Sequence, residues 1–155
     1  MWPPRVSRLQ LRQLLGGADD DCDDVDGSNS QASSQSLSPT MRDSFDAWLR
    51  ERALKDARAF ARRYQAKLGV EAAGIRVGDQ QRAWGTCGKD KVVRINWRLI
   101  QAPAVAMEYV VAHELCHLVE RHHGPGFWAK LGEAMPDWRE RKAALESWEQ
   151  AHLAV

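Results

Sequence analysis

The stretch from residue 103 to residue 121 constrains this chain more than any other. Val110, Val111, Leu115, Leu118 and Val119 surround His113-Glu114-Leu115-Cys116-His117. This spacing predicts a largely buried helix, with Pro103 in its first turn and its end near Arg121. Two histidines four residues apart face the same way, one turn above the other. Two unpaired imidazoles and a carboxylate among such neighbours would be costly. Ligation of one metal ion removes that cost, since both rings can reach a single Zn²⁺ at about 2.0–2.1 Å. The ion supplies what water lacks at neutral pH, a pKa lowered to about 7. Glu114 follows the first histidine and can lie beside the ion without binding it. There it can take a proton and later deliver it to a leaving group.

Two histidines are half of a hydrolytic centre, which keeps three protein ligands and one open position. His123 is the best third candidate, six residues after His117 and just before Gly124-Pro125-Gly126. On a continuing helix, six residues advance about 600°, so its ring would point about 120° away from the pair. The helix must end first and the chain must turn back, which the Gly-Pro-Gly run permits. His122 is the neighbouring alternative, and Glu120, Glu133 and Asp137 are weaker ones. Cys116 lies off the ligand face and reads as a buried thiol. His152 stands apart, near the end of the chain.

The rest of the chain supplies a frame. Thr40 can cap a helix with Asp43 in its first turn. Phe45, Trp48, Leu49, Ala53, Ala57, Phe60, Ala61, Tyr64 and Leu68 follow at helical spacing, and Gly69 ends the run. From Ile75 to Trp97 the period falls to two. Gly88-Lys89-Asp90-Lys91 reads as a hairpin turn between Trp84–Cys87 and Val92–Trp97. Phe127 to Met135 predicts a short helix, and Pro136-Asp137 opens a last one with Trp138, Leu145 and Trp148. Helix, about three strands, then helices is an α+β order.

Residues 1–40 differ in kind. Val6 to Leu15 can form a short amphipathic helix. Six Asp then crowd between Asp19 and Asp26, followed by a Ser/Gln-rich run. Such a stretch buries too little apolar area to offset its ordering entropy, so it is expected to be a disordered acidic tail ahead of a domain over 41–155. The charge splits accordingly. The first forty residues hold three Arg and six Asp, the remainder 19 basic and 15 acidic residues. The chain's net charge of +1 therefore gives no whole-chain nucleic-acid signal. No stretch approaches the ~20 apolar residues of a membrane span, and no apolar run of signal-peptide kind follows Met1. Cys22, Cys87 and Cys116 form no Cys-x-x-Cys pair and no disulfide framework, which points to a reducing, cytoplasmic setting.

Several ordered motifs add a resemblance. Trp84-Gly85-Thr86-Cys87, Ile95-Asn96-Trp97-Arg98-Leu99, Ala102-Pro103, Tyr109 through His117, His123 followed by Phe127-Trp128, and Met135-Pro136-Asp137-Trp138 occur in sequence. Over roughly residues 42–150 the chain resembles the YgjP-like metallopeptidase domain family. That resemblance implies a small zincin-like fold, one zinc ion held by His113, His117 and His123, and Glu114 as the catalytic acid/base. It also places Trp84-Gly85-Thr86-Cys87 on a strand beside the metal helix. An extended peptide can add to such a strand, and Trp84 or Gly85 can line the cleft, with core packing an equal alternative for Trp84. The chain departs from the family's pattern in two places. His122-His123-Gly124 stands where Asn-His-Ser is common, and Ala83 stands where a basic residue often precedes the Trp-Gly pair. Arg94, Arg98 and Tyr109 read as packing or surface residues rather than transition-state stabilisers.

The expected activity is zinc-dependent hydrolysis of a peptide or protein. Hydrolysis of a non-peptide such as a nucleotide phosphoanhydride is the first alternative. A non-enzymatic module built around structural zinc is the second. Glu114 speaks against the module, because a structural zinc site has no use for it.

Overall fold

The computed structural model describes residues 38–80 and 83–153. The expected disordered tail, apart from its last three residues, lies outside the described residues, with the Val6–Leu15 helix and the Asp-rich run.

Helix α1 spans Pro39–Leu68. Its cap is Ser38 rather than the expected Thr40: Ser38 Oγ accepts from the Met41 amide at 3.3 Å, and Pro39 takes the first turn. Gly69 closes the helix in the left-handed conformation, φ 66°, where a side chain would be strained. Ala53, Ala57 and Ala61 form a buried stripe at four-residue spacing, and such small side chains let neighbouring backbone come close. The first turns of α1 run past the core. Phe45 and Trp48, which the periodicity assigned to the helix's apolar stripe, are about half exposed and stack on each other.

Strands β1 (Gly74–Gly78), β2 (Gly85–Cys87) and β3 (Val92–Asn96) form one sheet in the order β1-β3-β2. β3 is central, parallel to β1 and antiparallel to β2. The Gly88–Lys91 turn joins β2 to β3, as its composition predicts, with Lys91 at φ 59°. Trp97 does not extend β3. Asn96 Oδ1 accepts from the Arg98 amide at 3.0 Å and starts a 3₁₀ turn over Trp97–Gln101.

Helix α2 spans Ala104–Cys116, and every residue from Ala106 to Cys116 is buried. It ends five residues before the expected Arg121. His117, Leu118 and Val119 donate to carbonyls only three residues back, which tightens the last turn and releases the chain. Helices α3 (Pro125–Ala134) and α4 (Trp138–Leu153) follow. The result is the expected α+β architecture, a three-stranded sheet with helices packed against it.

One buried carboxylate ties three helices together. Glu108 on α2 accepts from Tyr64 Oη (2.5 Å) and Arg63 Nη1 (2.8 Å) on α1 and from Arg141 Nη1 (2.5 Å) on α4. Burial by itself would raise its pKa. The bonds from Tyr64 and Arg141 and the charges of Arg141 and Arg63 outweigh that and hold it below the usual carboxylate range.

Candidate metal centre

His113 and His117 come from the last turn and the cap of α2, and His123 from the segment that turns back before α3. The turn-back supplies what helical periodicity denies His123. His123 Nε2 lies 3.0 Å from His113 Nε2 and 3.1 Å from His117 Nε2. Ligands about 2.05 Å from a tetrahedral ion stand roughly 3.3 Å apart, so the three nitrogens have nearly the spacing an ion needs. Among the described residues these three histidines are the one group of His, Cys, Asp and Glu arranged to hold a metal.

The outer ring nitrogens support the same reading. His117 Nδ1 donates to the Glu120 carbonyl at 3.0 Å, which leaves its Nε2 with a bare lone pair. His113 Nδ1 lies 3.2 Å from the buried Tyr109 hydroxyl. With its proton on Nδ1, His113 also turns a lone pair inward. Three lone pairs converging at this distance repel unless a cation lies between them, so the donor set fits a borderline-soft ion such as Zn²⁺. Burial, and after it the neighbouring His117 and His123, push the His113 pKa down to about 2. Burial is also the largest cause lowering His117 and His123. Each of these shifts favours the neutral ring, the form that ligates.

Glu114 is 3% exposed and lies between the histidines and strand β2. Burial pushes its pKa up to about 8, so it holds its proton more tightly than an exposed carboxyl does. Gly85 is what lets it sit there. A Cβ on Gly85 would stand 2.9 Å from Glu114 Cγ and 2.9 Å from Val110 Cγ1, inside van der Waals contact.

Two aromatic supports are not visible in helical spacing. The Phe127 ring is fully buried, with its centroid 4.8, 4.7 and 4.9 Å from those of His113, His117 and His123. On the outer side Trp128 stacks on His123 (5.9 Å, 28°) and Trp138 on Trp128 (4.6 Å, 24°). The Arg139 guanidinium covers Trp138 at 4.5 Å. His123 belongs to no helix, and this stack limits where its ring can go. The Phe-Trp pair after Gly-Pro-Gly was the available signal.

The remaining candidates fall elsewhere. His122 is exposed and outside the cluster. Glu120 contributes its backbone carbonyl, Asp137 pairs with Arg141, and Glu133 is exposed. Cys116 is buried and is not part of the histidine group. Arg94 pairs with Asp90 and Arg98 with Asp79. His152 bonds the Trp148 carbonyl on α4. The Trp84 indole lies in the core, donating to Glu149 and meeting Trp148 edge-on, so it does not line the cleft. Gly85 does, together with Ala83, Thr86, Cys87, Arg121 and the metal-helix residues, around a volume of about 400 Å³.

β2 is the edge of the sheet beside this cleft. The Asn96 amide donates to the Trp84 carbonyl, and the Gly88 amide donates to Val92. Peptide groups alternate sides along a strand, so those of Gly85 and Cys87 face away from β3.

No curated protein matches this chain. Among solved structures, the metallopeptidase zymogen abylysin of Pyrococcus abyssi is similar, with a TM-score of 0.53 and 19% identity over 63% of this chain and 95% of that one. At that identity the likeness concerns the fold. The profile of the YgjP-like, metallopeptidase domain family matches residues 10–148, and this chain belongs to that family.

Proposed function

We propose that this protein is a zinc-dependent peptidase in which His113, His117 and His123 hold one ion and Glu114 carries the proton. The observation that carries this reading is the convergence of three imidazole nitrogens within about 3 Å steps, beside a buried carboxylate, at the free edge of a strand. When bound, zinc would supply a Lewis acid for the scissile carbonyl and lower the pKa of the attacking water.

The chain's own residues do the rest. An extended peptide adds to β2, its backbone paired with the outward peptide groups of Gly85 and Cys87. This holds the scissile bond over the histidines without asking for a particular side chain. Glu114 Oε takes the proton of the attacking water and returns it to the departing amine nitrogen. Its buried, raised-pKa environment suits a group that must both accept and donate near neutral pH. The Glu120 carbonyl, which can only accept, keeps His117 in the ligating tautomer, and the Tyr109 hydroxyl can accept from His113 Nδ1 in the same form. Cys87 and Cys116 are free thiols, which supports a reducing, cytoplasmic setting. No helix among the described residues is long and apolar enough to cross a membrane.

The test compares wild type, Glu114→Gln and His123→Ala for bound zinc and for cleavage of unfolded casein, with nucleoside triphosphates screened alongside. Glu114→Gln should keep its zinc and lose cleavage by a factor of at least about 10². His123→Ala should lose zinc. Triphosphate hydrolysis without peptide cleavage would replace this reading with the phosphoanhydride one.

A further inference from the structure

The wall of the cleft is small and uncharged along β2: Ala83, Gly85, Thr86 and Cys87. Among the cleft residues Glu114 is the one acid, and Arg121 is the one permanent cation. Arg121 stands on the segment after α2 and reaches across the cleft, with Nη2 3.5 Å from the Gly88 carbonyl at the far end of β2. Among the described residues no carboxylate lies within ion-pair distance of it, whereas Arg94, next to the same glycine, is taken by Asp90 at 2.8 Å. The hairpin beside it adds Lys89 and Lys91, both exposed. The cleft thus has an uncharged strand wall and a basic lip at one end.

Resting on the peptidase reading above, we propose that Arg121 is a specificity residue that selects peptides carrying a carboxylate two or three residues from the scissile bond. The offset follows from geometry. Glu114 packs under Gly85, and Arg121 meets Gly88, three residues further along the chain at the start of the turn that follows β2. At about 3.3 Å per residue this is roughly 10 Å, a span of two to three residues for a peptide lying along β2. A guanidinium can hold a carboxylate through two parallel N–H···O bonds. Arg121 must give up only one long contact to a carbonyl to do so. The carboxylate can belong to an Asp or Glu side chain or to a free peptide C-terminus.

The experiment uses three quenched-fluorescence peptides built on a cleavage site mapped in unfolded dephosphorylated casein. One is neutral and amide-capped, one carries Glu two or three residues from the scissile bond, and one ends there as a free acid. Zinc-loaded wild type, Arg121→Ala and Arg121→Lys are compared at low and high salt, with bound zinc measured in each. Wild type should prefer at least one carboxylate peptide about tenfold in kcat/KM, expressed in KM and weakened by salt. The preference should fall to about one in Arg121→Ala and be partly kept in Arg121→Lys. Comparison of the two acidic peptides tells a side chain from a terminus. Equal cleavage of all three by wild type, or a preference that survives Arg121→Ala, overturns the role of Arg121 and leaves the peptidase reading standing. Cleavage of none of them, nor of casein, overturns the peptidase reading itself.

Discussion

Gly85→Ala changes one hydrogen into a methyl and should be among the most damaging small substitutions in the chain. The new Cβ would stand 2.9 Å from both Val110 Cγ1 and Glu114 Cγ. Ordinary contact begins near 3.4 Å, so about 0.5–1 Å of relief is needed. Neither neighbour gives way easily. Val110 is β-branched and fully buried, and Glu114 is 3% exposed. The two are four residues apart on α2, so the methyl presses on one helix face at two points and pushes the helix from the strand. Overpacking of this kind costs about 1–3 kcal/mol, which for a domain of this size is roughly 4–12 °C in Tm. A displacement near 1 Å at Glu114, the proposed proton carrier, costs on the order of 10²-fold in rate. Urea unfolding with matched zinc loading measures the first effect, and kcat/KM on casein the second. Gly85→Ala/Val110→Ala relieves one of the two clashes, so its stability loss should be smaller than the sum of the single losses by about 1 kcal/mol. A Gly85→Ala protein with wild-type stability and activity would refute the close packing of strand on helix.

Other perturbations follow from the same geometry. Glu108→Ala removes the shared acceptor of Tyr64, Arg63 and Arg141 and should cost about 2–4 kcal/mol in urea unfolding, with zinc affinity nearly unchanged. Because the folded pKa of Glu108 is held below its unfolded value near 4.3, its contribution is present above that pH and is lost as pH falls through the lower folded value. Wild type should therefore show an acid limb below about pH 4 that is flattened in Glu108→Ala, and superimposable pH–stability curves would disprove it. Trp128→Ala removes the ring stacked on His123 and should weaken zinc by about tenfold in a competition titration, with Trp128→Phe recovering part of it. Equal zinc affinity in all three proteins would show that the stack does not position His123 for the proposed ion. Chelation should lower stability by about 2.7 kcal/mol relative to zinc at a hundred times its Kd. An unchanged Tm after complete metal removal would mean that no ion is bound by the folded state.

What could be read from the chain alone was local. The four-residue spacing of His113 and His117 puts both rings on one helix face whatever else the chain does, and Gly69 stops α1 because only glycine turns left there without strain. The Gly88–Lys91 turn and the alternation of Val93 and Ile95 likewise fixed a hairpin, because turn chemistry and strand period act over neighbouring residues. The Gly-Pro-Gly run permitted a turn-back at His123, but the end of α2 at Cys116, not Arg121, was decided by three-residue bonds and by what packs behind them. Tertiary structure alone set the parallel pairing of β1 with β3, which makes β2 an edge strand beside the cleft. It also moved the Trp84 indole into the core, where Glu149, sixty-five residues away, accepts its N–H. Phe127 against all three imidazoles, Gly85 against Glu114 and Arg121 against Gly88 are contacts between segments that periodicity treats separately. A spacing rule carries no information about such distances, because they depend on how whole faces close on one another.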